Sequence, residues 1–375
     1  MFLVYDTHTM RANEKQEDWV KWRDEELSAA KGHPLLENYL FDDHQAHISG
    51  ERFLVSGHKL VLTGKRKSDK APVVIKWSRD AESLSEIRRE RQMRETLRDI
   101  HFAYYSMRFP DELYFKDSGD LVLLITKYIP QEKVFIQLPI TEQFFYALSA
   151  LESQEGTHVA TRHHAAALAT MGAVSTENDY IRTFSTWVDE IKNRALGLPN
   201  LDALLLRAGK FLEANRYAMG RYCGFLTHTD FVPHNLRIFD RQIVILDHTS
   251  LIIGNKYESW ARFINFMTAY NPELEDMLLR YVKENRGEDE YLCLRAMRVY
   301  KLGFLLHHHT AAHQKSEGDL HLLTSERIAF WSKVLESILN NTPVPSDAVT
   351  YYKSRAITLR SKEETERHQE ISGWK

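Results

Sequence analysis

Only two cysteines, Cys223 and Cys293, occur among 375 residues. Two thiols can build neither a disulfide framework nor a four-cysteine zinc site, and a reducing compartment suits them best. Long apolar runs are also missing. Stretches such as LVLLI (Leu121–Ile125) and IVIL (Ile243–Leu246) have strand length, far from the ~20 residues that span a bilayer. The start MFLVYDTH is too short and too quickly polar for a signal-peptide core. Charge of one sign is not in excess: 49 Lys and Arg stand against 52 Asp and Glu, a formal net charge of −3. No global basic field therefore argues for nucleic acid or an anionic membrane as a partner. These absences predict a soluble cytoplasmic protein without nucleic-acid or membrane partners, and they leave its oligomeric state open.

What is present is ordinary globular material, 43% hydrophobic and 27% charged, enough for a large core in two domains or one bilobal unit. Residues 1–45 read as an N-terminal helical extension with Trp19, Trp22, Leu27, Leu35, Leu36 and Leu40 as packing residues. The β-rich runs Arg52–Gly57, Lys59–Gly64 and Pro72–Ser78 follow, broken by glycine and by the tract KRKSDK, which reads as an exposed hairpin tip. A helix capped by Ser78 or Asp80 carries Ile87, Met93 and Leu97 at helical spacing. Two more strands are expected at Glu112–Phe115 and Leu121–Ile129. After Pro130 the chain turns helical, around a hairpin of Leu236–Phe239 and IVIL. The tail from Asp347 is polar and charged, and is expected to be partly ordered at best. The reading is α+β with segregated elements: an N-lobe at 46–129 with a five-stranded antiparallel sheet and one helix, a mainly helical C-lobe at 130–345, and a charged tail at 346–375. This is the bilobal order of a protein-kinase-like fold.

Three pieces stand in the order that phosphoryl transfer from ATP requires. Lys76 ends an apolar strand and cannot be buried unpaired. Phosphates would satisfy it, with Glu90 on the inward helix face as the carboxylate that steadies it, and Glu86 or Glu95 as fallbacks. Taken alone, Lys76 reads more readily as a lysine snorkelling from a strand end. The second piece is HTDFVPHN, His228–Asn235. Asp230 is placed to accept or orient a hydroxyl proton, Asn235 to offer an amide oxygen to Mg²⁺, His228 to support the loop, and Pro233 to stiffen it. Alone, this segment also fits a polar turn. The third is Asp247, at the end of a buried β run, as the main Mg²⁺ ligand. One hairpin separates Asp230 from Asp247, so both can converge on one metal–phosphate site. Together the three pieces are far more specific than any one.

At this point the segment resembles the aminoglycoside phosphotransferase and choline kinase-like family, whose members look like His-Gly-Asp-x-x-Pro-x-Asn followed a hairpin later by Ile-Asp-Phe or Ile-Asp-Trp. The resemblance implies Asp230 as catalytic base, Asn235 and Asp247 as Mg²⁺ ligands and Lys76 as the phosphate contact. It also implies ATP and Mg²⁺ as cofactors and a small-molecule hydroxyl as acceptor: an aminoglycoside, amino alcohol or sugar. Thr229 replaces the usual glycine and His248 the usual aromatic, which raises the question of what packs beneath Asp247. Ser56 and Gly57 stand where a turn over the phosphates belongs, without a Gly-x-Gly-x-x-Gly run. Lys127, Tyr128 and Ile129 end the strand expected to reach the interlobe hinge, where their backbone would pair with adenine. Val232 in place of a lysine, Thr229 in place of an arginine, and the short connector to Tyr257 point away from protein substrates. The competing reading is a nucleotide-binding pseudokinase that acts as a regulatory scaffold.

Elsewhere the bland reading is preferred. His307, His308, His309 and His313 read as a solvated or substrate-facing surface rather than a metal cluster. The acidic stretch Pro272–Glu290 reads as a solvated helix. Trp260, Phe263 and Phe266 read as core, and Trp187, Trp331 and the Tyr104–Tyr105 pair carry no functional reading.

Overall fold

The computed structural model describes residues 16–372, except 55–56, 101–107, 132, 160, 170–173, 195, 197 and 241. Ser56 and the Tyr104–Tyr105 pair lie outside the described residues.

The N-lobe holds α1 (Gln16–Gly32), β1 (Tyr39–Phe41), β2 (Leu60–Arg66), β3 (Pro72–Ser78), α2 (Ala81–Asp99), β4 (Glu112–Asp117) and β5 (Val122–Lys127). Its strands form one five-stranded antiparallel sheet in the order β1-β2-β3-β5-β4. Period-two alternation decides which face each side chain takes. Leu60, Leu62, Val73, Ile75 and Trp77 bury one face against Trp19 and Ala30 of α1. Each such side chain contributes roughly 1.5–3 kcal/mol of burial free energy. The alternate residues Val61, Thr63, Val74 and Lys76 face the interlobe cleft. Leu84 and Ile87 of α2 pack with Val122 and Leu124, and Asp80 caps α2 by accepting from the Ser83 amide at 3.2 Å.

The sheet has five strands, but not the five read from the sequence. The described residues of Arg52–Gly57 form no strand: Gly50–Leu54 is a 3-10 turn. The edge strand is β1, drawn from the segment assigned to the helical extension. The physical reason is Gln45. Its buried amide donates to Thr63 O at 2.9 Å and accepts from Thr63 N at 2.8 Å, so one side chain takes the place of a paired strand. Beside it β1 and β2 approach so closely that a Cβ on Gly64 would lie 2.4 Å from Leu40 O. The segment 42–54 is thereby released from the sheet and lines the cleft with His44, Glu51 and Arg52. The tract KRKSDK is the exposed turn between β2 and β3, with Arg66 paired to Asp69.

The C-lobe begins with α3 (Ile140–Glu155), α4 (Arg162–Ala169), α5 (Glu177–Asn193), α6 (Pro199–Ala214) and α7 (Arg216–Arg221). Four short strands follow: β6 (Phe225–His228), β7 (Leu236–Phe239), β8 (Gln242–Ile245) and β9 (Leu251–Gly254). They make two hairpin-like pairs, β6 with β9 and β7 with β8. The lobe closes with α8 (Tyr257–Tyr270), α9 (Pro272–Asn285), α10 (Glu288–Lys315), α11 (Gly318–Asn340), α12 (Ser346–Leu359) and α13 (Lys362–Ser372). Its core packs Trp260, Phe263 and Ile264 of α8 with Phe184 of α5 and Leu302 of α10.

The tail differs from the sequence expectation. Val349, Tyr352, Ala356 and Leu359 recur at helical spacing on one face of α12 and are buried. Tyr352 stacks on Phe330 of α11 at 4.3 Å. That stripe is thin among charged neighbours, so composition alone reads as disorder.

Candidate active site

The two lobes enclose a cleft of about 730 Å³ that reaches from β2 and β3 to α8, α10 and α11. Lys76, on the cleft face of β3, meets Glu90 of α2 at 2.5 Å. Glu90 is only 1% exposed, and it sits on the same helix face as the buried Ile87, Met93 and Leu97. Glu86, held as a fallback, instead pairs with Lys59 at 2.9 Å. Lys59 escaped the sequence reading. Burial pulls its ammonium down, but Glu86, Asp247 and Glu90 outweigh that and raise it. This end of the cleft thus holds two lysines, Lys59 and Lys76. The third fallback, Glu95, is tied to Arg91 at 2.8 Å.

The loop 228–235 leaves a strand: His228 ends β6 and pairs with Leu251 of β9. The fully buried Phe231 and Val232 anchor the loop in the core, and Pro233–Asn235 makes a 3-10 turn. Two tethers fix it. The His228 ring joins Leu246 O at 3.0 Å, and Asn235 O accepts from Leu246 N at 2.8 Å. These bonds set Asp230 and Asp247 in register across the β7–β8 hairpin. Thr229, in the glycine position, fits an ordinary backbone here. Its N–H and Oγ1 both donate to Ser250 O, at 2.8 and 3.1 Å.

The Asn235 amide nitrogen donates to O and Oδ2 of Asp230, at 2.9 and 3.1 Å. Its Oδ1 is left as the acceptor atom for a cation. Asp247 has φ +59, the left-handed region that aspartate tolerates. Its carboxylate accepts from Thr249 Oγ1 at 2.6 Å and Ser250 Oγ at 3.0 Å. Burial would raise this carboxyl, but Lys76, Lys59 and His228 together hold it far below the usual carboxylate range. Asp230 is alike: burial raises it, while Arg262, His234 and His228 bring it well below its ordinary value. Both groups are carboxylates throughout the neutral range. An amide oxygen and one ionised carboxylate make a hard, oxygen-only donor set. That suits Mg²⁺, which takes one or two protein carboxylates and completes its shell with phosphates and water.

His248 answers what packs beneath Asp247. Its Nδ1 accepts from Arg94 Nε at 3.0 Å, Arg94 lies 3.7 Å from Glu90, and the ring meets Phe109 edge-on at 4.0 Å. Burial, Arg94, Lys76 and His228 push this imidazole well below its ordinary value, so it is neutral and can accept. A continuous chain, Lys76–Glu90–Arg94–His248, therefore wires α2 to the Asp247 loop. A phenylalanine would pack there but could not receive the Arg94 bond.

Lys127, Tyr128 and Ile129 line the cleft beside Val61, Val74 and Phe135. Two of their amides are already committed, Lys127 N to Asp111 O at 2.9 Å and Tyr128 N to Pro72 O at 3.1 Å. The carbonyls and the Ile129 amide remain for a bound group. Gly57 lies in a turn at φ +56 and accepts from Trp19 Nε1 at 3.0 Å. It is tied to α1 and is absent from the residues that line the cleft.

Several residues that were read as core or left without a role line the other end of the cleft: Trp187, Phe266 and Trp331, together with Arg262, His308 and His309. Arg262 of α8 donates from Nε to Asp230 Oδ1 at 2.8 Å. The histidines divide. His307 pairs with Glu190 at 2.6 Å and His313 meets Ser325 at 3.1 Å, while His308 and His309 face the cleft. Among the described residues no group of three or more His, Cys, Asp or Glu side chains is placed to hold a metal by itself. The acidic helix α9 buries Leu274, Leu278 and Val282 and sends none of its carboxylates to the cleft.

No family model and no curated protein matches the chain. Solved structures do match in architecture. A thermostable mutant of the aminoglycoside phosphotransferase APH(4)-Ia in its apo form is 15% identical over 76% of this chain and 92% of that one, with a TM-score of 0.55. A mutant of the same enzyme in ternary complex with ADP and hygromycin B is 15% identical over 81% and 94%, at 0.54. ADP-bound APH(2'')-Ib is 11% identical over 85% and 98%, also at 0.54. At such identities the likeness is one of architecture, and the chain has the bilobal protein-kinase-like fold of the aminoglycoside phosphotransferases.

Proposed function

We propose that this protein transfers the γ-phosphate of ATP to a hydroxyl of a small molecule. The observation that carries the reading is the convergence of Lys76, paired with Glu90, on the same cleft as Asp230, Asn235 and Asp247. A pure scaffold has no need of all five. In this reading Lys76 and Lys59 hold the phosphates. Asn235 Oδ1 and the Asp247 carboxylate hold Mg²⁺, which when bound neutralises charge on the β- and γ-phosphates. Asp230 aligns the acceptor hydroxyl for in-line attack and takes up its proton late in the transfer. Arg262, which bonds only one of its oxygens, fixes the carboxylate's orientation. Positioning and electrostatics then supply most of the rate. Adenine fits between Val61 and Val74 above and Phe135 below, with its edge at the Lys127 and Ile129 backbone. The solved neighbours described with ADP support a nucleotide at this place.

The test is to incubate the protein with Mg-ATP and a library of hydroxylated metabolites, following phosphate ester formation by ³¹P NMR. New ester signals that require Mg²⁺ are expected. Tight Mg-ATP binding with no transfer to any compound would favour the pseudokinase scaffold instead.

A further inference from the structure

The phosphate end of the cleft leaves an opposite end, beyond Asp230, whose charge is unlike that of a pocket built for amines. Among the described residues, ten lysines and arginines line the cleft against six aspartates and glutamates, and three of those six, Glu90, Asp230 and Asp247, belong to the proposed reactive machinery. The other three are already engaged. Glu51 meets Arg327 at 3.0 Å. Glu258 meets Lys301 at 3.0 Å and accepts from the Tyr180 hydroxyl at 2.7 Å. Glu364 meets His368 at 3.0 Å. A substrate ammonium entering here would find each of these carboxylates already paired, Glu51 and Glu258 with cations, and would have to displace the partner.

An anionic group meets the opposite situation. Arg262 from α8, His308 and His309 from α10 and Arg327 from α11 converge on this end. Arg262 spends its Nε on Asp230, and Arg327 spends an Nη on Glu51. Each guanidinium carries five N–H donors in a planar fork that matches carboxylate and phosphate oxygens. His309 Nδ1 is buried with no hydrogen-bond partner. Burial, His308, Arg327 and Arg262 keep the His309 ring well below its ordinary value, which reports a positive field at this spot. Like charges gathered in a low-dielectric cleft repel one another, and an anion relieves that repulsion while satisfying the unused donors.

Resting on the phosphotransferase reading of the cleft, we propose that the acceptor is an anionic polyol, a hydroxylated small molecule whose carboxylate or phosphate is held by Arg262, Arg327 and His309 while its hydroxyl meets Asp230. It is not a polycationic or amine-bearing alcohol. Arg262 bonds Asp230 directly, so the acid group lies a short distance from the reacting hydroxyl.

The test loads the full-length protein with Mg-AMP-PNP and measures binding of four six-carbon probes by calorimetry: gluconate, glucose 6-phosphate, sorbitol and glucosamine. A charge-assisted Arg contact corresponds to roughly a tenfold or greater change in affinity, so at least one anionic probe should bind about tenfold tighter than both sorbitol and glucosamine. The gluconate and glucose 6-phosphate arms separate a carboxylate site from a phosphate site. Two variants carry opposite signs. Arg327→Gln should weaken the preferred anion about tenfold, whereas Glu51→Gln, which unmasks Arg327, should tighten it severalfold. A merely structural Arg327–Glu51 pair would make both variants bind more weakly, and that result overturns the proposal. So does glucosamine binding as well as either anion, or no binding by both anions. If Mg-AMP-PNP itself fails to bind, the phosphotransferase reading falls. If it binds and the anion preference is absent, only the acceptor assignment falls.

Discussion

At the phosphate end of the cleft, Asp230, Asn235 and Asp247 come from one short stretch, residues 230–247, and Lys76 and Glu90 from a strand and the helix after it. At the acceptor end, Glu51, Arg262, His309 and Arg327 come from a 3-10 turn in the N-lobe and from three C-lobe helices. The first set is positioned by local geometry: a hairpin, a strand end, one helix face. The second is positioned by how α8, α10 and α11 pack and by where the segment 42–54 is sent. On the proposed function, the chemistry depends on short-range spacing and the selectivity on long-range packing. The two ends should therefore respond differently to mutation.

Apart from the loss of Asp230 itself, the largest effect is expected at the phosphate end. Asp247→Asn removes the charge on the proposed cation ligand and should lower kcat about 10²–10³-fold, read as Mg²⁺-dependent nucleotide turnover. Next comes stability. Lys76→Met leaves the buried Glu90 with Arg94 alone, 3.7 Å away, and should cost roughly 3 kcal/mol in denaturant unfolding. The double variant Lys76→Met with Glu90→Leu should recover most of that loss, because it removes the charge along with its partner. If the double variant were no more stable than the single one, the pair would not be the source of the cost.

The link between α2 and the Asp247 loop is the next smaller effect. His248→Phe deprives the buried Arg94 Nε of its acceptor and should cost about 1–3 kcal/mol. The pH dependence has a definite sign. The His248 pKa is depressed by folding, so the unfolded chain gains a proton before the folded one as pH falls below about 6.5. Stability on this account is full above that pH and declines below it. His248→Phe should flatten part of the fall in Tm between pH 7 and pH 5. His307, His309 and His313, also depressed, supply what remains.

The smallest effect on rate is expected at the junction of the two ends. Arg262→Gln removes the cation that holds Asp230 low against burial. At neutral pH kcat should change least of all. The acid limb of the kcat/KM profile should move toward neutral pH, because a buried carboxyl without its guanidinium protonates sooner. A profile superimposable on that of the native protein would mean that Arg262 does not govern Asp230.

The same contrast explains what was legible in the sequence. HTDFVPHN, Asp247 and Lys76 could be read because their spacing is set within single supersecondary units. Glu90 followed from its place on an amphipathic face. Lys59 was missed because its carboxylate partner, Glu86, is on another element and nothing local marks it. The edge strand was misplaced because Gln45 satisfies Thr63 with a side chain, a substitution that β-propensity does not register. The tail was taken for a charged extension because four apolar residues on one face of α12 are outweighed in composition by their polar neighbours. His248 was legible as a departure from the aromatic but not as an acceptor for Arg94, since the two are paired only by the fold.

The most direct test of the central claim is the turnover ratio between the native protein and Asp230→Asn with Mg-ATP and a phosphorylated acceptor from the library. Asparagine keeps the shape of the loop and removes the group that aligns the hydroxyl and receives its proton. A fall in kcat of about 10²–10⁴-fold with unchanged Mg-ATP affinity is predicted. Equal turnover by the two proteins would contradict the account.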